Sequence, residues 1–144
     1  MSNNNMGYFV NEYETSIPEA FNFVNNPFMS ALSRVNEFIS LNANWDGYNS
    51  VPVATQSGQN AINFVTCLND VLLEKVSDIF PNPHGTITFE WVNSSEEKIS
   101  LEIGSNSYSY FVTHSNKTPK LIDGKDIFSN IGEITNEISS LVRE

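Results

Sequence analysis

Four groups of residues in this chain have types and spacings that could do chemistry. In Asn44-Trp45-Asp46-Gly47-Tyr48-Asn49, two aromatics flank a carboxylate on a strong turn dipeptide, a combination that could grip a sugar, a base or a peptide. The competing reading has Asp46 capping the turn while Trp45 and Tyr48 fill the gap between neighbouring helices. Glu90 and Glu102 stand on one face of adjacent strands, where a carboxylate pair could work as acid and base or hold a divalent cation. An ordinary solvated sheet face explains them better, and no third ligand or cleft-forming loop accompanies them. Cys67 with His84 or His114 has the elements of a nucleophile and base. Against that, Cys67 sits in an apolar helical stripe and reads as a small buried hydrophobe, His84 as a turn residue and His114 as the end of a strand. Finally, Ile127, Ile131, Ile134, Ile138 and Leu141 form a C-terminal stripe that could be a homodimer seam or a groove-filling helix, with core packing as the alternative.

None of these is a recognised catalytic constellation. The chain has no G-x-S-x-G elbow, phosphate-binding loop or dinucleotide glycine pattern, and one cysteine with two histidines cannot supply a four-ligand Cys/His zinc site. The expectation is therefore no catalytic residue, no metal and no cofactor.

Composition narrows the partners. Seventeen acidic against seven basic residues give a formal charge of −10, which repels phosphate backbones and anionic lipid surfaces and steers basic proteins inward. Nucleic acid and membrane are thereby disfavoured. No apolar run approaches the roughly 20 residues a membrane span needs, and the N-terminus has no basic start followed by an apolar block. The single cysteine cannot form an internal disulfide, so a reducing cytoplasm fits best. A length of 144 residues with 40% apolar residues is enough for one core.

The elements that position these groups are organised around Gly85 to Thr113. Ile87, Phe89 and Trp91, then Ile99, Leu101 and Ile103, then Tyr108, Tyr110 and Val112 recur with a period of two. A turn centred on Ser95 sets Trp91 opposite Ile99, Phe89 opposite Leu101 and Ile87 opposite Ile103. A second turn over residues 104–107 sets Ile103 opposite Tyr108, Leu101 opposite Tyr110 and Ile99 opposite Val112. One register per hairpin makes one face apolar on all three strands, and the other carries Thr88, Glu90, Ser100, Glu102 and Ser109.

Residues 1–25 are expected to form an irregular, partly disordered arm bearing Tyr8, Phe9, Tyr13, Phe21 and Phe23. A helix should start at Asn26-Pro27 and run to about Asn42, with Phe28, Leu32, Val35, Phe38 and Ile39 on one stripe. A second, capped by Thr55 or Ser57, should carry Ala61, Ile62, Val65, Leu68, Leu72 and Val76 before Pro81 to Gly85 turns the chain. A short fourth strand over residues 120–122 is an option, and a last helix should be capped by Asp123 or Asp126, with Gly132 weakening its interior.

The order Asn44-Trp45-Asp46-Gly47-Tyr48, Val51-Pro52-Val53, Pro81 to Gly85 and Ile87-Thr88-Phe89-Glu90-Trp91 resembles a pattern in small bacterial proteins of unknown function. In those, W-D-x-Y-x-x-x-P-I precedes a helix and P-x-x-x-G precedes an L-x-W-like strand. The resemblance covers about residues 43–110, with Val53 standing where isoleucine is usual. It implies a shared α+β fold and supplies no reaction.

The sequence thus predicts an α+β domain over residues 26–144: two helices, a three-stranded antiparallel meander and a C-terminal amphipathic helix, the helices on one sheet face. The function that fits is non-enzymatic binding of a partner protein, as by a chaperone, inhibitor or antitoxin. The alternative is a small-ligand domain or enzyme built on the Trp45-Asp46-Gly47-Tyr48 turn, with Glu90 and Glu102 as further candidates.

Overall fold

A computed structural model describes residues 26–143. The expected N-terminal arm lies outside the described residues. Helix α1 (Pro27–Ile39) begins as its sequence dictates, because Asn26 Oδ1 accepts the Met29 N–H at 3.1 Å and Pro27 needs no amide partner in the first turn. Its inner stripe is Ala31, Val35 and Phe38. Helix α2 (Thr55–Cys67) crosses it, and the crossing is close at Gly58, where an added Cβ would stand 2.5 Å from Ile39 Cγ1.

The second helix does not run on to Val76, and neither Thr55 nor Ser57 caps it. Ala54 occupies the cap position without a side-chain bond, and Leu68 is extended. Asn69 then accepts the Leu72 N–H at 2.9 Å and starts a separate short helix, α3 (Asp70–Glu74). A local cap interrupts a stripe that stays apolar on both sides of the break, and the interruption turns Leu72 and Leu73 into the core.

Among the described residues the sheet has five antiparallel strands, β1 (Asp78–Pro81), β2 (Ile87–Val92), β3 (Lys98–Ile103), β4 (Ser107–His114) and β5 (Lys117–Asp126), in the order β1-β2-β3-β4-β5. All six facing pairs expected for the meander are present: Ile87, Phe89 and Trp91 against Ile103, Leu101 and Ile99, and these against Tyr108, Tyr110 and Val112. Two strands were not anticipated at their true extent. The Pro81 to Gly85 segment is the turn of a β1–β2 hairpin rather than the end of a helix, with Ile79 facing Phe89. The fourth strand expected over residues 120–122 is ten residues long and pairs with β4 through two irregularities.

Helix α4 (Gly132–Val142) closes the chain. Neither Asp123 nor Asp126 caps it. Asp126 Oδ1 accepts the Phe128 N–H at 2.8 Å in the preceding link, Ile131 takes the cap position, and Gly132 is the first helical residue, not an interior weakness.

The helices pack on the apolar sheet face. Ile87, Phe89, Trp91, Ile99 and Val112 have no solvent contact, and Phe64 from α2 meets the rings of Phe89 and Trp91 edge-on at 5.4 and 6.4 Å. Trp91 Nε1 donates to Leu72 O at 2.9 Å, tying the sheet to α3. Asn60 Nδ2 donates to Gly104 O and Ser105 O at 2.9 and 3.0 Å, tying α2 to the β3–β4 turn. Lys120 of β5 bonds Glu137 of α4.

Candidate functional site

The Trp45–Tyr48 turn is a self-contained knot. Asn44, Gly47 and Asn49 all take positive φ, at 63°, 81° and 67°. Asp46 Oδ1 accepts from the Tyr48 N–H at 2.8 Å and the Ser50 N–H at 3.3 Å, while Ser50 Oγ accepts from Asp46 N at 3.2 Å. The Tyr48 amide, with the Ser50 hydroxyl and amide, holds the Asp46 carboxyl below the usual aspartate range. That carboxylate therefore serves its own turn. Trp45 is half-buried and donates through Nε1 to Val51 O at 3.1 Å, so it braces the loop. Tyr48 does not fill a gap between helices: it is 86% exposed.

Two of the spaced segments singled out in the sequence, residues 51–54 and 83–85, meet in space. The Val51 N–H donates to Pro83 O at 2.8 Å and the Ala54 N–H to Gly85 O at 3.0 Å, which zips the entry to α2 onto the β1–β2 turn. Gly85 has φ +101°, and an added Cβ would stand 3.4 Å from Pro52 O. Glycine is favoured there by its conformation, while the backbone of Pro52 comes within ordinary contact of the Cβ position.

The glutamates separate. Glu90 faces Ser100 and lies 3.6 Å from Lys98 Nζ, whereas Glu102 faces Thr88 and belongs to a different polar group. His84 Nε2 and Thr86 Oγ1 approach Glu102 Oε2 at 2.5 and 2.6 Å, and Asn82 Nδ2 donates to Thr86 Oγ1 and Thr88 Oγ1 at 2.9 and 2.7 Å. Burial works against the Glu102 charge, but the Thr86 hydroxyl and His84 overcome it and hold the carboxyl below its usual range. Because Thr86 donates its proton to the carboxylate, its oxygen is not activated by His84, and the arrangement is not that of a nucleophile and base. No group of three or more His, Cys, Asp or Glu suited to a metal occurs among the described residues.

Cys67 is exposed at the end of α2 rather than buried, because the helix stops there. His84 pairs with Glu102, and His114 lies 3.7 Å from Glu97, so neither histidine is engaged with the thiol. In α4, Ile134, Ile138 and Leu141 are buried against the sheet, and Ile127 and Ile131, which precede the helix, are half-buried against the same core. That stripe is filled by the chain itself.

Sequence reasoning missed the apolar content of the open sheet face. Phe111 and Leu121 face each other across β4 and β5 and are 38% and 63% exposed. They end a row that reads Glu90, Ser100, Phe111, Leu121 across four strands. The signal was available in Tyr110-Phe111-Val112, where Phe111 has the parity of the polar face. Among the described residues, β5 beside Leu121 is the outer strand of the sheet for ten residues, whereas the opposite edge, β1, has four and is held to α1 by Arg34 donating to Ile79 O at 2.6 Å.

Comparison of the chain with protein-family models, curated proteins and solved structures finds no match to any of them. No helix among the described residues is long and apolar enough to cross a membrane.

Proposed function

We propose that this chain is a non-enzymatic cytoplasmic protein that binds a partner protein, as chaperone-, inhibitor- or antitoxin-like adaptors do. The exposed Phe111–Leu121 pair beside the long outer strand β5 carries the reading. A partner that lays an extended segment along β5 gains main-chain hydrogen bonds and places alternate side chains on Phe111 and Leu121. The formal charge of −10, together with Glu90, Glu102 and Asp123 on the same face, favours a basic segment. Lys117, Pro119, Lys120 and Lys125 on β5 disfavour uncontrolled pairing of such edges, so a specific partner fits better than aggregation.

The alternative, a ligand gripped by Trp45, Asp46 and Tyr48, has its carboxylate bonded within the turn. Photo-crosslinking in extract of the native host tests the reading. A crosslinker at position 121 should trap a protein that one at Thr66, exposed on α2, does not, and Phe111→Ser with Leu121→Ser should abolish the product. Equal capture from both positions, or none from 121, overturns it.

A further inference from the structure

On the sheet face opposite Phe111 and Leu121, α2, β3, β4 and the link before α4 leave a cavity of about 190 Å³. Phe64, Leu101, Ile103, Tyr108, Ile127 and Ile134 form most of its wall, and among the described residues no Asp, Glu, Lys, Arg or His lines it. In a chain of net charge −10, that is a local exclusion of charge. The polar groups that reach it are Asn60, whose amide hydrogens are already engaged by Gly104 O and Ser105 O, Asn63, the Tyr108 phenol and the Cys67 thiol. Such a lining, apolar with a few uncharged polar atoms, is that of a small-molecule site. The volume is adequate: a cavity of roughly 150 Å³ lined by similar side chains stays dry and admits benzene.

The mouth adds a second observation. Phe128 lines the cavity yet is 92% exposed, on a link whose backbone is pinned at Ile127 N to Asn106 O and at Phe128 N to Asp126 Oδ1. A phenyl ring held in water beside an apolar cavity gains burial as soon as an apolar occupant gives it something to cover. We propose that this cavity binds a small, uncharged, largely apolar molecule, with Phe128 closing over it and the Cys67 thiol at its rim.

Isoleucine-methyl NMR on the full chain at neutral pH tests this with toluene and indole as probes and benzoate and benzylammonium as charged counterparts. Saturable shifts are expected at Ile103, Ile127, Ile131 and Ile134, with slowed alkylation of Cys67 by iodoacetamide. The charged compounds should bind at least about tenfold more weakly, because the wall offers their charge no partner. Phe128→Ala should leave the fold unchanged and weaken toluene about tenfold, the value of one ring's burial. Cys67→Trp should block entry; should that variant not fold, Asn63→Trp places the same block one helical turn earlier. Shifts that never saturate, shifts spread equally to Ile39, Ile79 and Ile99, or undiminished binding in the folded blocking variant would overturn the proposal. Leu121→Ser, on the opposite face, should leave toluene binding intact, so the cavity and the partner surface stand or fall separately.

Discussion

The two faces of the sheet are made by the same strands with opposite consequences. On the helix-covered face, Ile87, Phe89, Trp91, Ile99 and Val112 are cut off from water, and Trp91 also gives its indole N–H to Leu72 O. On the open face, residues one position away form short polar groups around Glu90 and Glu102 and leave Phe111 and Leu121 in solvent. A period of two lets one strand hold the fold with half of its side chains and present the other half to the surroundings. The lesson is that stability and the proposed recognition should be separable by substitution.

Variants along both faces sharpen this contrast. Trp91→Ala, which removes the largest fully buried side chain, should destabilise by about 3–5 kcal/mol in urea unfolding. A loss no greater than that of an exposed substitution would mean that the covered face is not the core. Asn60→Ala, at the junction of α2 and the β3–β4 turn, should cost about 1–3 kcal/mol by leaving two carbonyls unpaired. Next in size is an acid effect on the open face. The Glu102 carboxyl lies below its usual range in the fold, so the unfolded chain binds its proton more readily. The stabilisation is complete above the unfolded glutamate value of about 4.3 and is lost as pH falls through the lower folded value. Thr86→Val removes the hydroxyl donor and should flatten the loss of stability below about pH 4.3; a profile identical to that of the unsubstituted protein would separate Glu102 from that network. Smallest of all, Phe111→Ser and Leu121→Ser should each change stability by no more than about 0.5 kcal/mol while abolishing partner capture. A large stability loss at either position would erase the distinction between the faces.

Legibility followed how many independent constraints each segment carried. The meander was readable to the residue because two hairpins and nine apolar positions had to agree on one register in each turn. Strand β1 was not, since Asp78-Ile79-Phe80-Pro81 is too short to show alternation and ends in proline. In β5 only Leu121 and Ile122 are apolar among ten residues, because an outer strand needs little burial to pair. The break after Cys67 hid within an unbroken apolar stripe, and the Asn69 cap decided it. Of the candidate site residues, Trp45, Asp46, Glu90 and Glu102 proved to be held by their own neighbours, while Leu121 and Phe128 went unremarked because a single exposed apolar side chain has no periodic signature, and Phe111 was legible only by its parity on the polar face.

What the amino-acid order determined by itself was the split sheet and the start of α1 at Asn26-Pro27, both of which depend on neighbours a few residues apart. Only the tertiary structure decided that the 51–54 segment zips onto the 83–85 turn, that Glu102 meets His84 and Thr86 rather than Glu90, and that α2 and the 127–131 link enclose a cavity. Those outcomes depend on contacts between residues far apart in the chain. Such contacts form only when the whole core closes, and no local periodicity records them.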